Sequence, residues 1–287
     1  MKEYLKYNYF HVGAACFRCT LIATVFCLVS SAYGFKLQDT LTQGSLVVGH
    51  IAPGLKLEFM GRKIRVDDNG LYVFGLGRNA PPEITLTTSS TLGDKQKNYI
   101  FPVLQRKYKE EQVFGVPQKT VTPPIGALNR IRKEAAEVRL ARSKDTKILD
   151  FLSGFRMPLE GRITGVYGSR RVYNGSSGNP HYGLDIAAPV GANVYAPAPG
   201  IVELVHHDMF YSGGTLIINH GYGVSSTFIH LSEVLLSVGQ RVKKGDLIAK
   251  VGATGRATGP HLDWRINWFE VRLDPELVLK RLPSAGD

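Results

Sequence analysis

The sequence predicts a mainly β protein with an N-terminal small β-sandwich, a linker helix and a C-terminal domain of antiparallel sheet. Apolar and charged residues alternate in short runs early in the chain: Leu55, Leu57 and Phe59 with Lys56 and Glu58, then Ile64 and Val66 with Arg65. Asp68-Asn69-Gly70 is a tight-turn signal between such runs. From residue 192 to 252, Val/Ile-rich runs are cut by glycine, the punctuation of short strands.

Residues 1–34 read as a secretory signal peptide. Lys2, Lys6 and Arg18 precede an apolar run over residues 21–29, and Ala32 and Gly34 place small residues at −3 and −1 of a cut. The run is short for a membrane span, so no stable span is expected after cleavage; an uncleaved anchor is the alternative. Cys16, Cys19 and Cys27 all lie here. The mature chain would then use no disulfide framework and no thiolate ligand. The formal charge is +11; less the leader's +2, the mature chain carries +9. Such a protein is drawn to polyanions. Without a basic recognition helix or an aromatic nucleic-acid strand, envelope polymers fit better than nucleic acid.

Residues 35–115 form the expected accessory sandwich, with strands at Leu46-Val47-Val48, Leu71-Tyr72-Val73-Phe74 and Ile84-Thr85-Leu86-Thr87. It holds no ligand constellation; His50 stands alone. Its expected part is positioning or occluding a cleft. Residues 116–150 are a linker, Pro-rich to Pro124 and then helical from 125 to 147. Leu128, Ile131, Ala135 and Val138 mark one face and basic residues cover the rest. Residues 151–287 form the C-terminal domain. Its stretch from Arg170 to Pro180 is polar and Gly-rich, which predicts a mobile loop ending at His181.

Chemistry concentrates in two short motifs. His181 and Asp185 flank Tyr182-Gly183-Leu184, and His261 and Asp263 flank Leu262. Pro180 and Gly183 disfavour a helix, and period-two alternation points each pair the same way. Imidazole and carboxylate are zinc ligands, and a catalytic zinc site uses three of them and leaves a position for water. His230 adds a third imidazole. His206, His207 and His220 are expected at strand ends or turns.

These motifs, His181-x-x-x-Asp185, Phe228-Ile229-His230-Leu231 and Gly259-Pro260-His261-x-Asp263, resemble the LytM/lysostaphin-type zinc metallopeptidases of the M23 family. The likeness covers about residues 155–275 and includes Gly183-Leu184-Asp185-Ile186-Ala187-Ala188-Pro189 and Val242-Lys243-Lys244-Gly245-Asp246-Leu247-Ile248. The second stretch also resembles biotinyl and lipoyl carrier domains, but no modifiable lysine stands in their tip context. The chain departs from the M23 pattern where His-x-His is replaced by His261-Leu262-Asp263.

The resemblance implies a LytM-like peptidase fold and one zinc ion, with His181 and Asp185 as ligands and His230 and His261 as catalytic histidines. Asp263 is expected as the third ligand; with Asp185 it would cancel the ion's +2 charge. Tyr173 is expected along the substrate groove, and Arg265 there or paired with Asp263. The implied activity is hydrolysis of peptide stems of peptidoglycan in the periplasm or cell envelope of a bacterium. The alternative is a catalytically silent relative that binds and activates another cell-wall hydrolase.

Overall fold

The computed structural model describes residues 40–90, 96–116, 118–173 and 175–284. The expected leader lies outside the described residues. The protein is mainly β, as its sequence predicts.

The N-terminal part contributes β1 (Leu41–Thr42), β2 (Leu46–His50), β3 (Leu55–Phe59), β4 (Arg62–Ile64), β5 (Leu71–Gly75), β6 (Glu83–Ser90) and β7 (Gln96–Leu104). A five-stranded sheet runs β1-β7-β6-β3-β4, and β2 and β5 form a separate two-stranded ribbon. Sheet and ribbon meet through Phe59 and Phe74, whose ring centroids are 4.6 Å apart. The Asp-Asn-Gly turn forms: Asp67 Oδ1 accepts from the amides of Asn69 (2.9 Å) and Leu71 (2.8 Å). It does not close a regular hairpin, because β5 leaves to pair with β2 and only a Val66–Tyr72 bridge remains. The tight hairpin is β3–β4, where Met60 and Gly61 both take positive φ, 48° and 76°.

After β8 (Glu110–Val113) come α1 (Gln118–Val121) and α2 (Leu128–Arg142), the second led by a 3-10 turn at Ile125–Ala127. The helix expected over 125–147 is thus shorter at both ends. Its apolar stripe is half-buried, and Glu134 beneath it accepts from the Phe210 amide at 2.8 Å.

The C-terminal part supplies β9 (Arg162–Gly165), β10 (Arg170–Tyr173), β11 (Ser176–Pro180), β12 (Leu184–Ala187), β13 (Asn193–Tyr195), β14 (Gly200–Met209), β15 (Gly213–Gly221), β16 (Val224–Val234), β17 (Arg241–Val242), β18 (Leu247–Val251), β19 (His261–Trp268), β20 (Val271–Leu273) and α3 (Pro275–Arg281). The main sheet runs β17-β14-β15-β16-β19-β12-β9. Trp264 and Ile266 point into the core and are fully buried, as the alternation along β19 requires. The stretch expected as a mobile loop is a hairpin of β10 and β11. A polar strand persists here because β8 pairs parallel to β10 and offers it a second edge.

The described residues from Thr40 onward belong to one compact unit with a shared core. Arg62 lies 3.5 Å from the Phe269 ring centroid, and Arg106 pairs with Asp274 at 2.7 Å. Among the described residues no helix is long and apolar enough to cross a membrane.

Candidate metal centre

Strands β12 and β19 run antiparallel in a register that sets Asp185 opposite Asp263. His181 lies just before β12, its amide bonded to the Ser169 carbonyl at 2.8 Å. His181, Asp185 and Asp263 are buried, and one ligand atom from each lies within 4.8 Å of the others. His181 Nε2 faces Asp185 Oδ1 at 3.2 Å, and neither atom has a hydrogen-bond partner. Tetrahedral zinc with bonds of about 2.0–2.1 Å places adjacent donors about 3.3 Å apart. Two orphaned, buried donors at that separation fit a metal ion. Asp263 Oδ2 is 4.0 Å from the other ring nitrogen of His181, Nδ1, so Asp263 stands to the side of the Nε2–Oδ1 pair.

Both carboxylates are already held by guanidinium groups. Arg265 grips Asp263 with both arms of its fork, Nε to Oδ1 at 2.9 Å and Nη2 to Oδ2 at 2.5 Å. Arg171 pairs with Asp185 Oδ2 and leaves Oδ1 free. Burial alone would raise the Asp263 carboxyl; Arg265, with His181, holds it far below the usual carboxylate range. Each aspartate thus has a guanidinium partner as well as any cation that enters, two charges the sequence expectation of a neutral centre left out. A carboxylate offers about four acceptor positions, so Asp263 can keep Arg265 and still present an oxygen to a metal.

The two other histidines line the same cavity of about 530 Å³ as Asp185, Arg171, Tyr173 and Arg256. Their ring centroids are 4.8 Å apart. His230 Nδ1 meets the Thr254 carbonyl at 2.7 Å, and His261 Nδ1 meets the Gly259 carbonyl at 2.8 Å. Because a carbonyl only accepts, each Nδ1 carries the hydrogen, and each Nε2 keeps its lone pair. His230 has φ of 66°, a strained value for a non-glycine residue, fixed by its amide bond to the Ser212 carbonyl at 2.8 Å. Burial pushes its pKa down to about 4.

Of the expected site residues, the structure gathers His181, Asp185, Asp263, His230 and His261 in one place. Tyr173 lines the cavity, whereas Arg265 lies under Asp263 and is not among the described lining residues. Sequence reasoning missed Arg171, Arg256 and the β8 segment with Glu111, which approaches Arg171 at 3.5 Å. Period-two alternation on β10 puts Arg171 on the same side as Tyr173; nothing local signalled β8. His220 is fully buried, with Nδ1 2.6 Å from the Pro199 carbonyl and Nε2 2.9 Å from Ser226 Oγ. It serves the core rather than a turn.

A buried His-Asp-Asp cluster facing two histidines across a cleft defines a metallopeptidase-like site. Residues 179–275 match the model of Peptidase family M23, and the chain carries an M23 peptidase domain. Peptidoglycan DD-endopeptidase ShyB of Vibrio cholerae is 44% identical over 87 residues, 30% of this chain and 20% of ShyB. DD-carboxypeptidase/endopeptidase Mpg of Neisseria meningitidis is 38% identical over 128 residues, 43% of this chain and 29% of Mpg. The chain therefore spans under a third of the length of these relatives. The crystal structure of a candidate M23 peptidase from Pseudomonas aeruginosa superposes with a TM-score of 0.65 at 27% identity, covering 85% of this chain and 96% of that one.

Proposed function

We propose that the protein is a zinc-dependent endopeptidase that hydrolyses peptide cross-links of peptidoglycan in the bacterial envelope. The observation that carries this reading is the facing pair of orphaned, buried donors, His181 Nε2 and Asp185 Oδ1, beside Asp263. The relative named as a peptidoglycan DD-endopeptidase, ShyB, supplies the substrate class.

In this reading His181, Asp185 and Asp263 hold one zinc ion. Bound zinc would supply Lewis-acid activation of water and of the scissile carbonyl. His230, kept neutral by burial, accepts a proton at Nε2. His261, half-buried at the cavity rim, steadies the charge that develops on the tetrahedral carbon's oxygen in its doubly protonated form, with Nε2–H donating while Nδ1–H stays on the Gly259 carbonyl. Thr254 and Gly259 fix the tautomers. Tyr173 and the β8 segment wall the cavity, and so the accessory part, residues 35–115, helps shape the groove while residues 116–150 link it to the peptidase part. Residues 1–34 direct export.

A second reading, a silent relative that binds and activates another cell-wall hydrolase, has one observation in its favour. Both Asp263 oxygens are engaged by Arg265. Incubation of purified peptidoglycan with the chain separates the two. The endopeptidase releases new amino termini, a chelator stops the release and added zinc restores it. Binding to peptidoglycan without release at any zinc concentration supports the silent relative.

A further inference from the structure

The cavity contains an arginine that the chemistry above does not use. Arg256 lines the same 530 Å³ space as His230, His261 and Asp185. Its guanidinium carbon lies 4.5 Å from the ring centroid of Tyr173 and 5.0 Å from that of Tyr211. Tyr173 is buried and Tyr211 half-buried, so both rings are set before any ligand arrives. The Arg256 amide donates to the Tyr211 carbonyl at 2.8 Å, and Thr254, two residues earlier, holds His230. The guanidinium is therefore positioned by the same loop that positions a catalytic histidine.

Its donors are largely unspent. Nη1 makes a long contact of 3.4 Å with the Thr120 carbonyl. Among the described residues no carboxylate lies within ion-pair distance of Arg256, in contrast to Arg171 and Arg265. A planar fork held between aromatic faces presents paired N–H groups matched to a carboxylate.

We propose that Arg256 is a specificity-determining residue that binds a carboxylate on the residue following the scissile amide. This rests on the peptidase reading of the same site. A cavity of this volume is on the order of 8 Å across, two or three residues of extended chain at about 3.5 Å each. A carboxylate that reaches Arg256 while the amide faces His230 and His261 thus belongs to a residue flanking the cut. On the acyl side, the backbone carboxyl is the group being cleaved. On the amine side, the carbon bonded to the scissile nitrogen carries its own carboxyl. That group is free in two substrates, a C-terminal amino acid and a diamino diacid cross-linked through one amine. A lysine-type cross-link lacks it.

The test compares substrates on the zinc-loaded full chain. One pair is a stem peptide ending in D-Ala-D-Ala as the free acid and as its C-terminal amide. The other is a dimer joined through diaminopimelate and one joined through lysine. The wild type is expected to favour the carboxylate-bearing member of at least one pair in kcat/KM by about 10–100-fold, the range of a charge-assisted hydrogen bond. In Arg256→Gln that ratio collapses toward 1, and Arg256→Lys recovers part of it. Preference within the first pair alone identifies terminal residues as the source; preference within the second identifies the cross-link. Binding of both pairs to the His230→Ala chain gives the same ratios without turnover. Absence of hydrolysis by the wild type would thus overturn the peptidase reading while the binding ratio still judges Arg256. Equal losses on both members of each pair in Arg256→Gln, or a wild type without preference, overturns the proposal. So does a preference that falls with Arg162→Gln, on the same cavity, and survives in Arg256→Gln.

Discussion

His230 and His181 differ in what their ring nitrogens meet, and that difference sets their expected behaviour. His230 spends Nδ1 on a carbonyl and keeps Nε2 for the cavity, whereas His181 Nε2 faces a carboxylate oxygen with no hydrogen bond between them. His230→Ala and His261→Ala should therefore retain zinc and lose about 10²–10⁴ in rate. His181→Ala and Asp185→Ala should lose the metal. Zinc content and kcat on the same preparations check this; zinc lost from His230→Ala and kept by His181→Ala contradicts the assignment. The placement of His261 and Asp263 on one strand was legible because alternation along an extended chain needs no tertiary information. Arg171 and Arg256 were not, since an arginine's role depends on which carboxylate or ring the fold brings to it.

At the scale of elements, the site depends on strands approaching closely at a residue without a side chain. Gly165 on β9 stands opposite Asp185 on β12, and a Cβ there would strike both Arg171 Nη2 and Asp185 Oδ2. Gly165→Ala should displace that pair and weaken zinc affinity by about 10–100-fold, the usual cost of disturbing a ligand's supporting partner. A zinc titration checks this, and unchanged affinity would contradict it. Strands in the catalytic part were readable from Val/Ile runs and glycine punctuation. The β10–β11 hairpin was not, because its polar residues are held as a strand by β8, about sixty residues earlier. Likewise β5 abandons the nearby β4 for β2, a choice made by packing of Phe74 against Phe59 rather than by the turn.

For the molecule as a whole, pH stability follows from histidines in the core. Burial lowers the His220 pKa from 6.5 to about 4. Below about 6.5 the unfolded chain takes up a proton that the folded one refuses. Its stability contribution is therefore whole above that pH and falls as pH drops toward 4, by up to about 3 kcal/mol. His230 acts in the same direction. Urea unfolding at pH 4.5 and 7 should show a smaller loss in His220→Gln than in the wild type; equal losses contradict the account. The mainly β class was legible along the chain. The shared core was not, because Phe59, Trp268 and Phe269 meet only in the fold.

In the proposed site Asp263 completes a zinc centre with His181 and Asp185 despite its bond to Arg265. The most direct measurement is calorimetric titration of zinc into metal-free wild type and Asp263→Ala, with hydrolysis assayed on the same samples. One zinc should bind per wild-type chain, with hydrolysis returning in proportion to occupancy, and Asp263→Ala should bind zinc more weakly and show no hydrolysis. Equal zinc affinity in the two proteins, with no hydrolysis by the loaded wild type, would contradict it.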